Sequence, residues 1–189
     1  PPGYDVIDGN TFHHNWKDGI HTKSTDTIIT RNHVHHNDGG GVTTRYGARN
    51  VIVGNWITDN GSHGLRLHSP SHFVLNNVVC RNGGNGIYAS SWPGSKAGDF
   101  PFNFEPYYEP PREVWIAYNT FHGNHKAAIL ADNGAWLSVL RNVICGTGER
   151  TSGLQFSVGG VARQADLNLY WQAAAPLLRL RVRLIRSPP

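Results

Sequence analysis

The chain has 189 residues with 22 glycines, 11 prolines, two cysteines, no methionine and a formal net charge of +4. It contains no run of 18 or more apolar residues, which excludes a single membrane-spanning helix, and two cysteines cannot build a disulfide framework. Arg179, Arg181, Arg183 and Arg186 lie close to the end; without them 13 basic residues face 13 acidic ones, so the body offers no broad positive field for nucleic acid.

The opening, PPGYDVIDGN, has no initiator Met and no signal peptide, and reads as a truncated start. From there the chain repeats. Asn10, Asn32, Asn55 and Asn77 recur at near-constant spacing, each followed by a second asparagine: Asn15, Asn37, Asn60 and Asn82. The series resumes at Asn119, Asn124 and Asn142, with Thr147 in the last second place. After each second asparagine comes a small residue and an aliphatic: Gly19-Ile20, Gly41-Val42, Gly64-Leu65, Gly86-Ile87, Ala128-Ile129 and Gly153-Leu154. Short apolar runs such as TIIT, NVIVG and HFVLN separate these marks. Six to seven coils, each of three short strands joined by Asn- and Gly-marked turns, predict an all-β solenoid, the parallel β-helix.

In such a coil, side chains alternate into and out of the bore, and successive rungs lie about 4.8 Å apart. Phe12, Val34, Ile57, Val79, Phe121 and Ile144 then stack as one core column. The asparagines are expected to satisfy turn backbone with their amides and, like glycine, to take left-handed conformations. Cys80 and Cys145 fall at the same coil position with His122 between them, about 10 Å apart and too far for a disulfide.

Residues 92–112, WPGSKAGDFPFNFEPYYEPPR, interrupt the repeat with a loop rich in proline and aromatics, the character of a lid or cleft wall. The helix is expected over residues 1–175, with 161–171 as a last irregular rung. A separate tail, 176–189, alternates apolar and basic residues and reads as an edge strand or cap. An uncovered rung at the start would invite association; the oligomeric state is otherwise open.

The strands that begin at the Gly-aliphatic pairs carry the candidate chemistry. If Ile20, Val42, Leu65 and Ile87 face the core, two columns face outward. One holds His21, Thr43, Arg66, Tyr88, Leu130 and Gln155. The next holds Lys23, Arg45, His68, Ser90, Asp132 and Ser157. Lys23 and Arg45 thus sit on consecutive rungs, and stacked cations repel, which favours a lysine acting as a base. His13, His14, His33, His35 and His36 cluster at turns and read as stacked rings rather than zinc ligands, having no acidic or cysteine partner at their level. Asp18, Asp38, Asp59 and Asp132 occupy different coil positions, which weakens a two-carboxylate hydrolase.

The ordered segments HTKSTDTIITRN, GGVTTRYGARNVIVGN, GLRLHSPSHFVLNN, a loop and VWIAYNTF, spanning roughly residues 16–124, resemble polysaccharide lyase family 6, which includes chondroitinase B and alginate lyases. That resemblance implies a right-handed parallel β-helix, a secreted or periplasmic location, and β-elimination on a uronate-containing acidic polysaccharide as partner. Lys23 would take the C5 proton and Arg45 would assist the leaving oxygen. His21, Arg66, His68, Tyr88 and Trp92 would bind substrate. A calcium ion is the implied cofactor, with Asp18 at one ligand place and Trp16 where a second acidic ligand would stand. Tyr46 follows Arg45 where many members have histidine. A non-catalytic glycan-binding or structural β-helix, or an epimerase or glycoside hydrolase on the same scaffold, are the competing expectations.

Overall fold

The computed structural model describes residues 3–91, 111–146, 153–157, 160–171 and 178–179. Trp92, most of the 92–112 loop, Thr147 and nearly all of the 176–189 tail lie outside the described residues.

The described strands form three parallel sheets of seven strands, each strand pairing with its equivalents one coil below and one above. The first sheet contains Val6–Asp8, Ile28–Thr30, Val51–Val53, Phe73–Leu75, Val114–Ala117, Trp136–Leu140 and Val161–Asp166. The second contains Thr11–His13, His33–His35, Trp56–Thr58, Val78–Cys80, Thr120–His122, Val143–Cys145 and Leu169–Trp171. The third contains Ile20–Thr22, Val42–Thr44, Leu65–Leu67, Ile87–Ala89, Ile129–Ala131, Leu154–Phe156 and Leu178–Arg179. The chain is therefore the expected parallel β-helix, and Leu178–Arg179 extends the third sheet by pairing with Leu154 and Gln155. None of the described segments is a helix long and apolar enough to cross a membrane.

The core is the predicted column. Phe12 pairs with Val34, Val34 with Ile57, Ile57 with Val79, Val79 with Phe121 and Phe121 with Ile144. From Val34 to Phe121 these side chains are fully buried, and Phe12 on the first rung is only partly covered. The glycine of each Gly-aliphatic pair is a matter of space. A Cβ on Gly41 would meet Ile57 Cγ2 at 2.4 Å and the Gly64 carbonyl oxygen at 2.6 Å.

Both asparagine columns are architectural. Asn55 Oδ1 accepts the backbone N–H of Asn32 at 2.9 Å, while its amide donates to the Ile29 carbonyl at 2.8 Å and to Asn77 Oδ1 at 3.0 Å. The same pattern climbs through Asn77, Asn119 and Asn142 to Asn168, a member that the sequence spacing did not reveal. Its coil is longer than the regular ones: Leu154 pairs with Ile129 across 25 residues, and a bulge between Leu137 and Ser138, where Ser138 pairs with Gln164 rather than Arg163, adds one more before Asn168.

The left-handed residues differ from expectation. In the two asparagine columns they are not the asparagines but the residues just before them: Gly9, Arg31, Gly54, Asn76, Tyr118, Arg141 and Leu167 in one, His14, His36, Asp59, Arg81 and Gly123 in the other; Asp26, Arg49, Ser71 and Glu113 form a third such set before strands of the first sheet. The asparagine amide is committed to inter-rung bonds, so the preceding residue turns the chain.

The expected histidine stack is present. His13 lies over His35 at 5.2 Å and His14 over His36 at 5.6 Å, both pairs near-parallel. Cys80 and Cys145 are free thiols, with His122 between them in register.

Candidate active site

The third sheet presents the outward columns in the predicted register: His21 pairs with Thr43, Thr43 with Arg66 and Arg66 with Tyr88. One place further on, Arg45 N–H donates to the Thr22 carbonyl and His68 N–H to the Thr44 carbonyl, which stacks Lys23, Arg45 and His68 on three consecutive rungs. Lys23 is exposed and Arg45 half-buried.

Tyr46 joins the two cations. Arg45 Cζ lies 4.6 Å from its ring centroid and Lys23 Nζ lies 6.0 Å from it, both within cation–π range. The Tyr46 backbone has φ of 72°, a conformation that costs a side chain about 1–2 kcal/mol and that tends to be retained where a site needs it. The turn bearing Arg45 and Tyr46 is tied to the core from beneath. Ser69 Oγ–H donates to the Gly47 carbonyl at 2.6 Å, and the fully buried His72 ring places Nε2 3.0 Å from that Ser69 oxygen and 3.2 Å from Thr44 Oγ1. Asn50 N–H donates to His72 Nδ1, so the ring is a neutral Nε2–H tautomer. Burial pushes its pKa down to about 3.

Not every outward residue meets solvent. His68 is 4% exposed and Ser90 is fully buried, because neighbouring rungs close over this part of the column. His68 Nδ1 lies 2.7 Å from the Ser90 carbonyl; a carbonyl only accepts, so the proton is on Nδ1 and the lone pair on Nε2. Burial holds the ring below its ordinary pKa, partly offset by that carbonyl. Tyr88 stands edge-on to His68 at 6.2 Å and stacks on His63 at 4.9 Å. Its hydroxyl reaches Asp132 at 3.4 Å, and Ser157 holds the other Asp132 oxygen at 2.7 Å.

Asp18 and Arg66, expected as calcium ligand and substrate contact, are brought together. Arg66 Nη2 donates to Asp18 Oδ1 at 2.5 Å, Gly40 N–H donates to the same oxygen at 2.7 Å, and His21 Nδ1 lies 3.5 Å from Oδ2. Burial alone would raise the Asp18 carboxyl pKa. The His21 and Gly40 contacts, the Arg66 charge and Thr43 outweigh it and hold the group well below the ordinary carboxylate range. A calcium ion would have to displace Arg66 and would find too few oxygens, since the described residues contain no group of three or more His, Cys, Asp or Glu placed to hold a metal ion. The described residues around Asp18 do not fit a calcium site.

Sequence reasoning placed Lys23, Arg45, His21, Arg66, His68 and Tyr88 on one face correctly. It placed Asp132 in the same outward column, named Tyr46 only as a departure from the family pattern, and missed His63 as a neighbour of that face. An aromatic directly after an arginine in a turn was the available signal for Tyr46.

No curated protein matches the chain in sequence. Among solved structures, the A-module of the mannuronan C-5 epimerase AlgE6 of Azotobacter vinelandii superposes with a TM-score of 0.56 at 19% identity, a likeness of fold alone. The match covers 79% of this chain and 40% of that one, so the chain spans well under half of the module. A family model described as "Right handed beta helix region" matches residues 3–97, half of the chain. The chain belongs to the right-handed β-helix family.

Proposed function

We propose that the chain is a polysaccharide lyase acting on a uronate-containing acidic polysaccharide of the alginate or dermatan/chondroitin type. The observation that carries this reading is the stacking of Lys23 and Arg45 on consecutive rungs around the Tyr46 ring. Lys23 Nζ takes the C5 proton of the uronate, the electrons form the C4–C5 double bond, and the C4–oxygen bond breaks. Arg45 hydrogen-bonds the leaving oxygen, which takes up a proton from water and departs as the hydroxyl of the second sugar chain. Arg66, oriented by Asp18, meets the sugar carboxylate and makes the C5 proton easier to remove, so no step is assigned to calcium. The motif resemblance to polysaccharide lyase family 6, and the fold shared with a module of an enzyme named for mannuronan C-5 epimerisation, both favour a uronate polymer as ligand. Such a polymer places the reaction outside the cell or in the periplasm.

A second reading is epimerisation, favoured by one observation: Tyr88, in register with Arg66 and hydrogen-bonded to Asp132, places a further proton-transfer group on a rung above Lys23. Both reactions begin with loss of the C5 proton. Incubation with alginate, dermatan sulfate and pectate, followed by ultraviolet absorbance of unsaturated product, separates them. Lyase action gives rising absorbance, and epimerisation gives an altered uronate composition without it. Glycan binding with neither change would leave a non-catalytic module.

A further inference from the structure

We propose that a groove on the first sheet, on a different face from Lys23, is a binding site for an acidic sugar chain, with Arg141 meeting a carboxylate and Trp115 and Tyr118 giving stacking surfaces. The groove has a volume of about 420 Å³ and runs along the helix axis. Its floor is Leu75, Ala117, Leu140 and Asp166, which follow one another in register up the sheet. Phe73 and Trp115 form one wall, and the turn residues Tyr118, Arg141 and Leu167 form the other.

Tyr118, Arg141 and Leu167 have φ of 60°, 52° and 54°, in the turn column where lower coils place Gly9, Arg31, Gly54 and Asn76. Three successive rungs here carry large side chains, which together build a continuous wall beside the floor.

Charge names the occupant. Arg31 occupies the same column as Arg141 and pairs with Asp8, one rung below. The residue beneath Arg141 at the Asp8 position is Ala117, and none of the ion pairs among the described residues includes Arg141. Its Nη1 instead donates to the neutral Tyr118 hydroxyl at 2.9 Å. The replacement of a carboxylate by alanine opens the floor and leaves the Arg141 guanidinium without an ion pair among the described residues. Asp166 sits at the upper end, where its Oδ1 accepts the Leu167 N–H at 2.7 Å, and with Gln164 it offers hydrogen bonds to hydroxyls. An axial groove with aromatic sides, a cationic wall and a hydroxyl-binding end suits a chain of uronate rings: ring C–H faces on Trp115 and Tyr118, a carboxylate on Arg141.

The proposal shares its sugar class with the lyase reading but does not depend on Lys23. It is tested by calorimetric titration of a mannuronate tetrasaccharide, with cellotetraose as the neutral comparison, into a Lys23→Ala/Arg45→Ala protein. That protein should still bind the uronate and bind cellotetraose more weakly. Adding Arg141→Gly, which suits the local backbone, or Trp115→Ala should weaken uronate binding about tenfold or more. Thermal unfolding checks that each variant is folded. No uronate binding by the double variant, unchanged binding after both groove substitutions, or equal binding of the neutral sugar would each overturn the proposal. Cleavage by the unaltered chain is scored separately, so an inactive Lys23 face and an empty groove give different results.

Discussion

Arg66 Nη2 lies 2.5 Å from Asp18 Oδ1, reaching two rungs down the third sheet to a carboxylate that also takes the Gly40 N–H. One side chain thus ties three coils together at the edge of the candidate site. The Asp18 side chain is 9% exposed and that of Arg66 is 25% exposed, so the pair is largely shielded from water. Asp18→Asn should cost about 3 kcal/mol in urea unfolding, because it leaves a half-buried guanidinium without its counter-charge. Adding calcium should not raise the stability of the unaltered chain.

The pH dependence of stability follows from groups held neutral or ionised by the fold. Burial lowers His72 to about 3 and His63 to about 4, with the Arg66 charge also acting on His63, against an ordinary value of 6.5. Below pH 6.5 the unfolded chain therefore binds protons that the folded chain refuses. Stability is full above that value and falls as the pH drops toward 4, each histidine contributing at most about 1.4 kcal/mol per pH unit. Asp18, also lowered, adds its loss only below the ordinary carboxylate range. Denaturant titrations from pH 7 to 4 should show this slope, and His72→Gln should flatten it.

The asparagine column should respond by depth. Asn55→Ala orphans the buried Asn32 N–H and removes the bonds that its amide donates to the Ile29 carbonyl and Asn77 Oδ1, at about 3 kcal/mol in all. Asn10→Ala, on the exposed first rung, should cost less than about 1 kcal/mol. The comparison is read from unfolding midpoints at matched denaturant slope.

Two glycines separate space from conformation. A Cβ on Gly64 would lie 2.4 Å from Val79 Cγ1 and 2.7 Å from the Gly86 carbonyl oxygen, so Gly64→Ala should cost about 3 kcal/mol or more. Gly54 has φ of 67° and open space around it, so Gly54→Ala should cost only the strain, about 1–2 kcal/mol. Unfolding of the two variants side by side measures the difference.

Local repetition was legible in the residues; long-range pairing was not. The column from Phe12 to Ile144 and the register of His21, Thr43, Arg66 and Tyr88 follow from a constant spacing and an alternating side-chain direction, both local rules. The Asp18–Arg66 pair joins residues 48 apart through side-chain reach, which spacing does not encode. Burial of His68 was hidden for the same reason: orientation away from the core does not tell what neighbouring rungs cover. Asn168 escaped because extra residues before Leu154, and one more at a bulge, lengthened its coil. Tyr46 was visible only as a departure from a familiar pattern, and its contacts with both cations needed the backbone turn at φ of 72°.

The central claim is that Lys23 removes the C5 proton of a uronate. Proton NMR of an alginate oligosaccharide in D2O, with the unaltered chain and with Lys23→Ala, follows both the C5 position and the appearance of the C4–C5 double bond. The account predicts growth of the unsaturated signal with the unaltered chain and a loss of at least about a thousandfold in rate for Lys23→Ala. Equal rates for the two proteins, or an unchanged C5 position with every uronate polymer tried, would contradict it.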